Sequence, residues 1–272
     1  MTRWAVYDLR IGPPSFDFLT FLVMAKYHGA TDVWLVPGLN EAKLDWYKAK
    51  EQEQRVNTIV LPALRLYGMR YRIAPLSGAP KDYDLAWPPY ARSSSKALGA
   101  GYMVGWLRSI KAPEPFMPSQ EALSKAADRL KGKEIVVHIR RAKHQDTRNS
   151  GPDWEKWGAD HNAYVLQDDP ISLDERCAIH ELAKLNIGVV AGPMSLSEYS
   201  THRPYISLKK LAGEISTNED FYARQGWYPG DQYPWASPKQ MLVWNDRDDY
   251  QTIEDAFQAW LTRQELPTNL PA

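Results

Sequence analysis

Cysteine is almost missing from this 272-residue chain: Cys177 is the only one, so no intrachain disulfide can form and no Cys-rich zinc site can be built. That usage fits a reducing compartment. A surplus of one charge sign is missing too. Lys+Arg and Asp+Glu are both 33, so no net positive field draws DNA or RNA, and nucleic acid is disfavoured as the main partner. No apolar run approaches the roughly 20 residues of a membrane span. Residues 1–9 carry Arg3 and Asp8 where a signal peptide would be continuously apolar. The expectation is a cytoplasmic protein with no membrane span. Neither a Gly-x-Ser-x-Gly elbow nor a Walker loop occurs, so those routes to a serine nucleophile or a bound triphosphate have no support.

What is present is the balance of a folded globular chain, 44% hydrophobic and 24% charged. The length accommodates one large domain or two smaller ones. Aromatic residues are plentiful, with 11 Trp and 15 Tyr. Their default place is a core, but aromatic faces also stack on sugars and bases.

Strand-like and helix-like segments alternate. Apolar residues 4–9 read as a strand and 16–28 as a helix, followed by a strand at 32–36 that stops at Pro37-Gly38. Residues 49–67 keep helical spacing, with Pro62 placed to kink or split the helix. A third strand is expected at 71–76 and a helix at 93–110. Residues 111–118 hold three prolines, which exclude both helix and central strand, and are taken as the connector between two halves.

The second half opens on a helix at 119–130, capped by Ser119, and a β-branched run at 134–139 typical of a strand buried on both faces. A helix at 173–185, a strand at 187–191, strands at 204–208 and 241–244 and a closing helix at 248–261 complete the pattern. Such alternation predicts a compact α/β fold of two Rossmann-like halves with parallel sheets, residues 1–118 and 119–272.

The strongest chemical signal follows the strand at 134–139. In an open parallel sheet, ligands bind beyond the carboxyl ends of the strands, where this one delivers Arg140 and Arg141. The planar guanidinium fork suits phosphate oxygens, and His138, Arg148 and Asn149 add donors nearby. The alternative is that Arg140 and Arg141 form structural ion pairs. The run His138-Ile-Arg140-Arg141 resembles the His-x-Arg-Arg-x-Asp motif of fucosyltransferase-like glycosyltransferases of the two-Rossmann, GT-B type. Lys143 stands where that motif has an acidic residue. The resemblance implies that Arg140 or Arg141 holds the diphosphate of a nucleotide sugar. It also implies an acceptor side in residues 1–118 and a donor side in 119–272.

Three further segments compete for roles. Arg10, Gly12 and Ser15 form a turn into the first helix that offers N–H groups to an anion, and Asp17 is the leading candidate for a general base. Ser15 and Asp17 equally well serve as helix-capping residues. Gly192 and Met194 follow a buried strand, where they meet either a ligand or an ordinary turn. Residues 226–239 are an aromatic loop with Trp227, Tyr228, Tyr233 and Trp235, in which Ser237 and Lys239 are placed to neutralise a diphosphate. Packing of those rings onto the core is the alternative.

No metal or other cofactor is expected. Asp246-Arg-Asp248 has Asp-x-Asp spacing, but Asp248 sits where the last helix should begin and reads as its N-cap; Asp168-Asp169 reads as a turn. His138, His144, His161, His180 and His202 have no zinc-like spacing, and Cys177 lies in a helical pattern as a small core residue. The functional expectation is metal-independent transfer of a sugar from a nucleotide-diphosphate donor to an acceptor hydroxyl. The alternatives are a nucleotide-sugar epimerase or hydrolase, and a non-catalytic module that binds a nucleotide or phosphorylated ligand.

Overall fold

The computed structural model describes residues 3–45, 47–80, 85–87, 105–143, 146–167, 171–213 and 217–265. Two parallel sheets organise them. The first consists of β1 (Trp4–Asp8), β2 (Asp32–Val36), β3 (Arg70–Ile73) and β4 (Leu85–Trp87), in the order β3-β2-β1-β4. The second consists of β5 (Ile135–His138), β6 (Tyr164–Leu166), β7 (Leu185–Val189), β8 (Tyr205–Leu208) and β9 (Gln240–Leu242), in the order β6-β5-β7-β8-β9. Every pairing is parallel. The two Rossmann-like sheets that the alternation predicts are therefore both present.

These strand orders decide where a ligand can enter. Strand order reverses at β1 in the first sheet and at β5 in the second, so the chain leaves neighbouring strands towards opposite faces and opens a gap. The turn after β1 and the turns after β5 and β7 thus stand at the two switch points.

The helix α1 (Asp17–Tyr27) is buried continuously from Phe18 to Ala25, as an almost wholly apolar helix must be. Phe18 and Phe21 pack edge-on against Tyr7 of β1, with ring centroids 4.8 and 4.9 Å apart. From the other side Thr20 shares a 2.7 Å hydrogen bond with the Tyr199 hydroxyl. One core cluster accordingly runs from Ala5 and Leu35 through α1 to Cys177, Met194, Tyr199 and Tyr205. The two sheets are joined by packed apolar surface as well as by the chain.

Between β2 and β3 the chain forms α2 (Ala49–Arg55), a π-helical turn (Val56–Val60) and α3 (Leu61–Leu66). Pro62 explains the interruption, because it has no N–H to give to the preceding turn and its ring crowds that turn's carbonyl. In the second half, α4 (Gln120–Leu130) starts at Ser119, whose hydroxyl accepts the Ala122 N–H at 3.2 Å. Then follow α5 (Asp153–Asp160), α6 (Leu173–Leu182), α7 (Ser195–Glu198), α8 (Glu219–Arg224) and α9 (Tyr250–Glu265). The connector is anchored: Phe116 is fully buried, and its carbonyl accepts hydrogen bonds from Cys177 Sγ and the buried Arg203 guanidinium.

Several boundaries differ from expectation. β3 is shorter than 71–76 and exposed along its length, as an edge strand is. The helix expected at 173–185 ends at Leu182, and Leu185 already opens β7. Of the helix expected at 93–110, all but the last turn lies outside the described residues, as do Asp168, Asp169 and His144. Between 150 and 173, where no element is expected from residue pattern, the structure has α5 and β6. Those elements are short, and the burial of Trp154 and Trp157 that holds α5 in place is a tertiary effect. Among the described residues no helix is long and apolar enough to cross a membrane.

Candidate functional site

Residues beyond the carboxyl ends of β1, β5 and β7 line one cavity of about 590 Å³. Its N-terminal rim consists of Pro13, Ser15, Phe16 and Asp17 at the entry to α1, with Tyr47, Glu51 and Arg55 on and before α2. Its C-terminal rim runs from His138 to Lys143, with Arg148, Arg176, Val189 and the segment Ala191–Met194. Six cationic side chains, Arg55, Arg140, Arg141, Lys143, Arg148 and Arg176, face two carboxylates, Asp17 and Glu51. A molecule with no net charge thus concentrates positive charge in its crevice, which favours an anionic occupant.

Asp17 shares the cavity with these cations. Burial pushes its pKa above the usual carboxylate range, while the Ser15 hydroxyl and the charges of Arg148, Lys43 and Arg55 pull the other way. The Ser15 hydroxyl donates to Asp17 Oδ2 at 3.1 Å and accepts the Asp17 N–H at 3.3 Å. The N-cap position of α1 belongs to Phe16, which makes no side-chain cap, so the expected role of Ser15 as N-cap gives way to that of a brace for Asp17. Since Arg148 comes from the second half, the two rims act on one another electrostatically.

On the C-terminal rim the paired arginines have different surroundings. Arg141 gives one terminal nitrogen to the Ser150 carbonyl at 2.6 Å and the other to Glu155 at 2.8 Å, so much of its fork is engaged by the protein. Arg140 is half-buried, and its guanidinium is oriented by Asn149 Oδ1 at 2.5 Å. Asn149 also bonds both the N–H and the carbonyl of Ala142, at 2.8 and 2.9 Å; it braces the rim and does not line the cavity. Arg148 reaches the Val190 carbonyl at 3.3 Å.

The floor is apolar and neutral. His138 Nε2 lies 3.0 Å from Asn186 Oδ1, and the Asn186 amide nitrogen is directed at the carbonyls of His180 and Pro204. Asn186 Oδ1 is therefore an acceptor, and His138 carries its proton on Nε2. The His138 ring stacks on His180 at 4.1 Å. Burial drives the His138 pKa down to about 3, partly offset by Asn186, and the Arg176 charge lowers it further. His180 is likewise held well below the usual imidazole value by burial and by the charges around it. Met194 is fully buried at the cavity wall. Gly192 has a packing role: a Cβ there would stand 2.5 Å from Phe16, so glycine permits the two rims to approach.

Other sequence-selected residues lie away from the cavity. Arg10 is clamped on both oxygens of Asp8, at 2.9 and 2.7 Å, and the buried Gly12 closes a turn by giving its N–H to the Asp8 carbonyl. Ser237 and Lys239 precede β9 and thus stand at the amino edge of the second sheet, opposite the edge that carries the arginines. Trp227, Tyr233 and Trp235 of the same loop are buried; Trp235 bonds the Glu198 carbonyl at 2.8 Å and Tyr233 its carboxyl at 3.2 Å. Only Tyr228 of the four named rings is exposed.

Asp248 does not cap the last helix; Asp249 does, accepting the Thr252 N–H at 2.9 Å. Asp248 is instead a buried tie that accepts from the Gly151 N–H at 2.6 Å and Trp154 Nε1 at 2.7 Å and pairs with Lys209 at 3.2 Å. Asp246 remains exposed. Among the described residues no group of three or more His, Cys, Asp or Glu is placed to hold a metal. Cys177 is buried, with its thiol pushed up to about 11 by desolvation.

Tyr47, Glu51, Arg55 and Arg176 line the cavity without having been selected from the sequence. For Arg176 a signal existed: it stands near the start of α6, and crossover helices begin at the carboxyl edge of a parallel sheet. Glu51 and Arg55 read as an ordinary surface pair four residues apart, and only the approach of the second half makes them a rim.

No family model and no curated protein matches the chain. Among solved structures, it is similar to a glycosyl transferase of family 9 from Veillonella parvula, with a TM-score of 0.41 and 9% sequence identity, covering 94% of this chain and 90% of that one.

Proposed function

We propose that the crevice binds a nucleotide-diphosphate sugar and transfers the sugar to an acceptor hydroxyl. The observation that carries this reading is the placement of a half-buried carboxyl, Asp17, in the same cavity as Arg140, Arg148 and Arg176. The arginines receive the diphosphate, whose negative charge grows as the glycosidic bond breaks, and so stabilise the transition state more than the ground state. Asp17 takes the proton of the acceptor hydroxyl as its oxygen bonds to the sugar carbon; the bonding pair of the broken bond leaves with the diphosphate. A carboxyl raised above its usual range is a better base at neutral pH than an ordinary one.

Residues 1–118 then form the acceptor side and 119–272 the donor side. The reaction needs no divalent cation, because the guanidinium groups supply the positive charge. Thermal unfolding in the presence of individual nucleoside diphosphates tests donor binding, since a ligand selective for the folded state raises apparent stability. Turnover is then read as free nucleoside diphosphate released when an acceptor is added. Release without acceptor points to a hydrolase, and binding with no turnover under any acceptor points to a non-catalytic module.

A further inference from the structure

The cationic residues of the crevice are not all on the donor side. Arg55, the last residue of α2, lines the cavity from the N-terminal rim, beside Asp17. Its guanidinium lies over the Tyr47 ring, 4.1 Å from the centroid, and its Nε donates to the Pro14 carbonyl at 3.0 Å. These two contacts hold the plane of the group and consume one of its five N–H donors. The terminal nitrogens make no hydrogen bond among the described residues; the nearest carboxylate, Glu51, stands 4.0 Å from NH1, too far to accept one. The side chain is about three-quarters removed from solvent, with 23% of it exposed. An oriented arginine with an unused terminal fork, partly desolvated and open to a cavity, is a preorganised receptor for a carboxylate or phosphate.

We propose that the N-terminal rim carries a second anion subsite, built on Arg55 and Tyr47, that receives a carboxylate or phosphate group of the acceptor while the C-terminal rim holds the donor's diphosphate. The identity of the two ligands rests on the transferase reading; the existence of two separate anion subsites does not. The acceptor is thereby an anionic molecule, anchored at Arg55 with its hydroxyl directed towards Asp17. Glu51 acts as a weak internal competitor for the fork, and it excludes acceptors that offer no negative charge to displace it.

The test uses the full chain and simple anions. Inorganic pyrophosphate is titrated first, followed by inorganic phosphate or acetate into the pyrophosphate-saturated protein, with binding read by calorimetry. One further phosphate or acetate should bind, and the tighter of the two identifies the group. Arg55→Ala should weaken this second event about tenfold or more and leave pyrophosphate affinity unchanged. Arg55→Lys should recover part of it, because charge returns without the fork. Glu51→Gln, which leaves Arg55 intact, should strengthen it. Loss of the second event in wild type, displacement of pyrophosphate by phosphate, or an Arg55→Ala protein that folds and binds as wild type overturns the subsite. If phosphate or acetate binds through Arg55 while pyrophosphate does not bind at all, the subsite stands and the donor reading falls.

Discussion

The N-terminal rim brings Asp17, Glu51 and Arg55 to the crevice, whereas the C-terminal rim brings Arg140, Arg141, Lys143, Arg148 and Arg176 and no carboxylate. The first is a mixed surface, in which two carboxylates and a cation stand within one helical entry and one short helix. The second is a nearly uniform positive wall over a floor that includes neutral His138, itself stacked on the buried His180. A wall of one sign suits binding of a polyanion, and a mixed rim suits chemistry, because a base is useful only where its own charge is not paired away. The asymmetry teaches that the two rims differ in the chemistry they offer, and under the proposed transfer binding falls to one rim and proton transfer to the other.

The largest effect should come from the mixed rim. Asp17→Asn keeps the shape but removes the base, and transfer should fall about 10²–10⁴-fold with nucleoside diphosphate affinity retained. If the variant turns over like wild type, Asp17 is not the base and the division of labour between rims is wrong.

The floor of the positive wall should appear in acid. The unfolded chain takes up protons near the ordinary imidazole pKa of 6.5, whereas folded His138 resists until about 3 and His180 is depressed in the same direction. Stability that is complete above pH 6.5 is therefore lost as pH falls towards 3, by about 1.4 kcal/mol per pH unit for each imidazole kept neutral. The raised carboxyls of Asp17 and Glu198 act in the opposite sense: their contribution is present at low pH and lost as pH rises through their folded values. The comparison that isolates the imidazoles is denaturant unfolding of wild type and His180→Gln between pH 5 and 7. An equal slope in both would show that the buried pair is not the source.

Within the wall, the two adjacent arginines should separate. Arg140→Ala should weaken nucleoside diphosphate or pyrophosphate binding about tenfold or more. Arg141→Ala should cost less binding, since its nitrogens are directed at Glu155 and the Ser150 carbonyl. Equal losses would erase the distinction. The smallest effect is expected from a chelator, which should leave nucleoside diphosphate affinity unchanged because the wall itself carries the charge. A large loss in chelator would reassign that role to a cation.

Much of the architecture was legible from residue pattern. The β-branched run 134–139 read as a strand buried on both faces because such a strand needs apolar residues at every position, and 32–36 read as a strand closed by Pro37-Gly38. Pro62 announced the break before α3, and Ser119 the start of α4. The missed α5 shows the limit: eight residues interrupted by Gly158 carry too little periodicity, and a Cβ at Gly158 would stand 2.8 Å from Val165, a neighbour that sequence cannot supply.

Of the residues that line the cavity, Asp17, Arg140 and Arg148 were visible because they follow the carboxyl ends of strands. Ser237 and Lys239 were attractive by composition, yet they enter β9 from its amino end. Composition has no direction; a parallel sheet does.

The sequence by itself determined that the chain alternates strands and helices, that its sheets are parallel, and that arginines follow one of the buried strands. These are properties of period and local propensity, which neighbouring residues settle among themselves. Only the tertiary structure decided that Glu51 and Arg55 face those arginines across a cavity, that Gly192 makes room for Phe16, and that Asp248 is a buried tie while Asp249 caps the helix. Each of these depends on contact between segments tens to more than a hundred residues apart, and on the electrostatics of a crevice that exists only once both sheets have packed around α1.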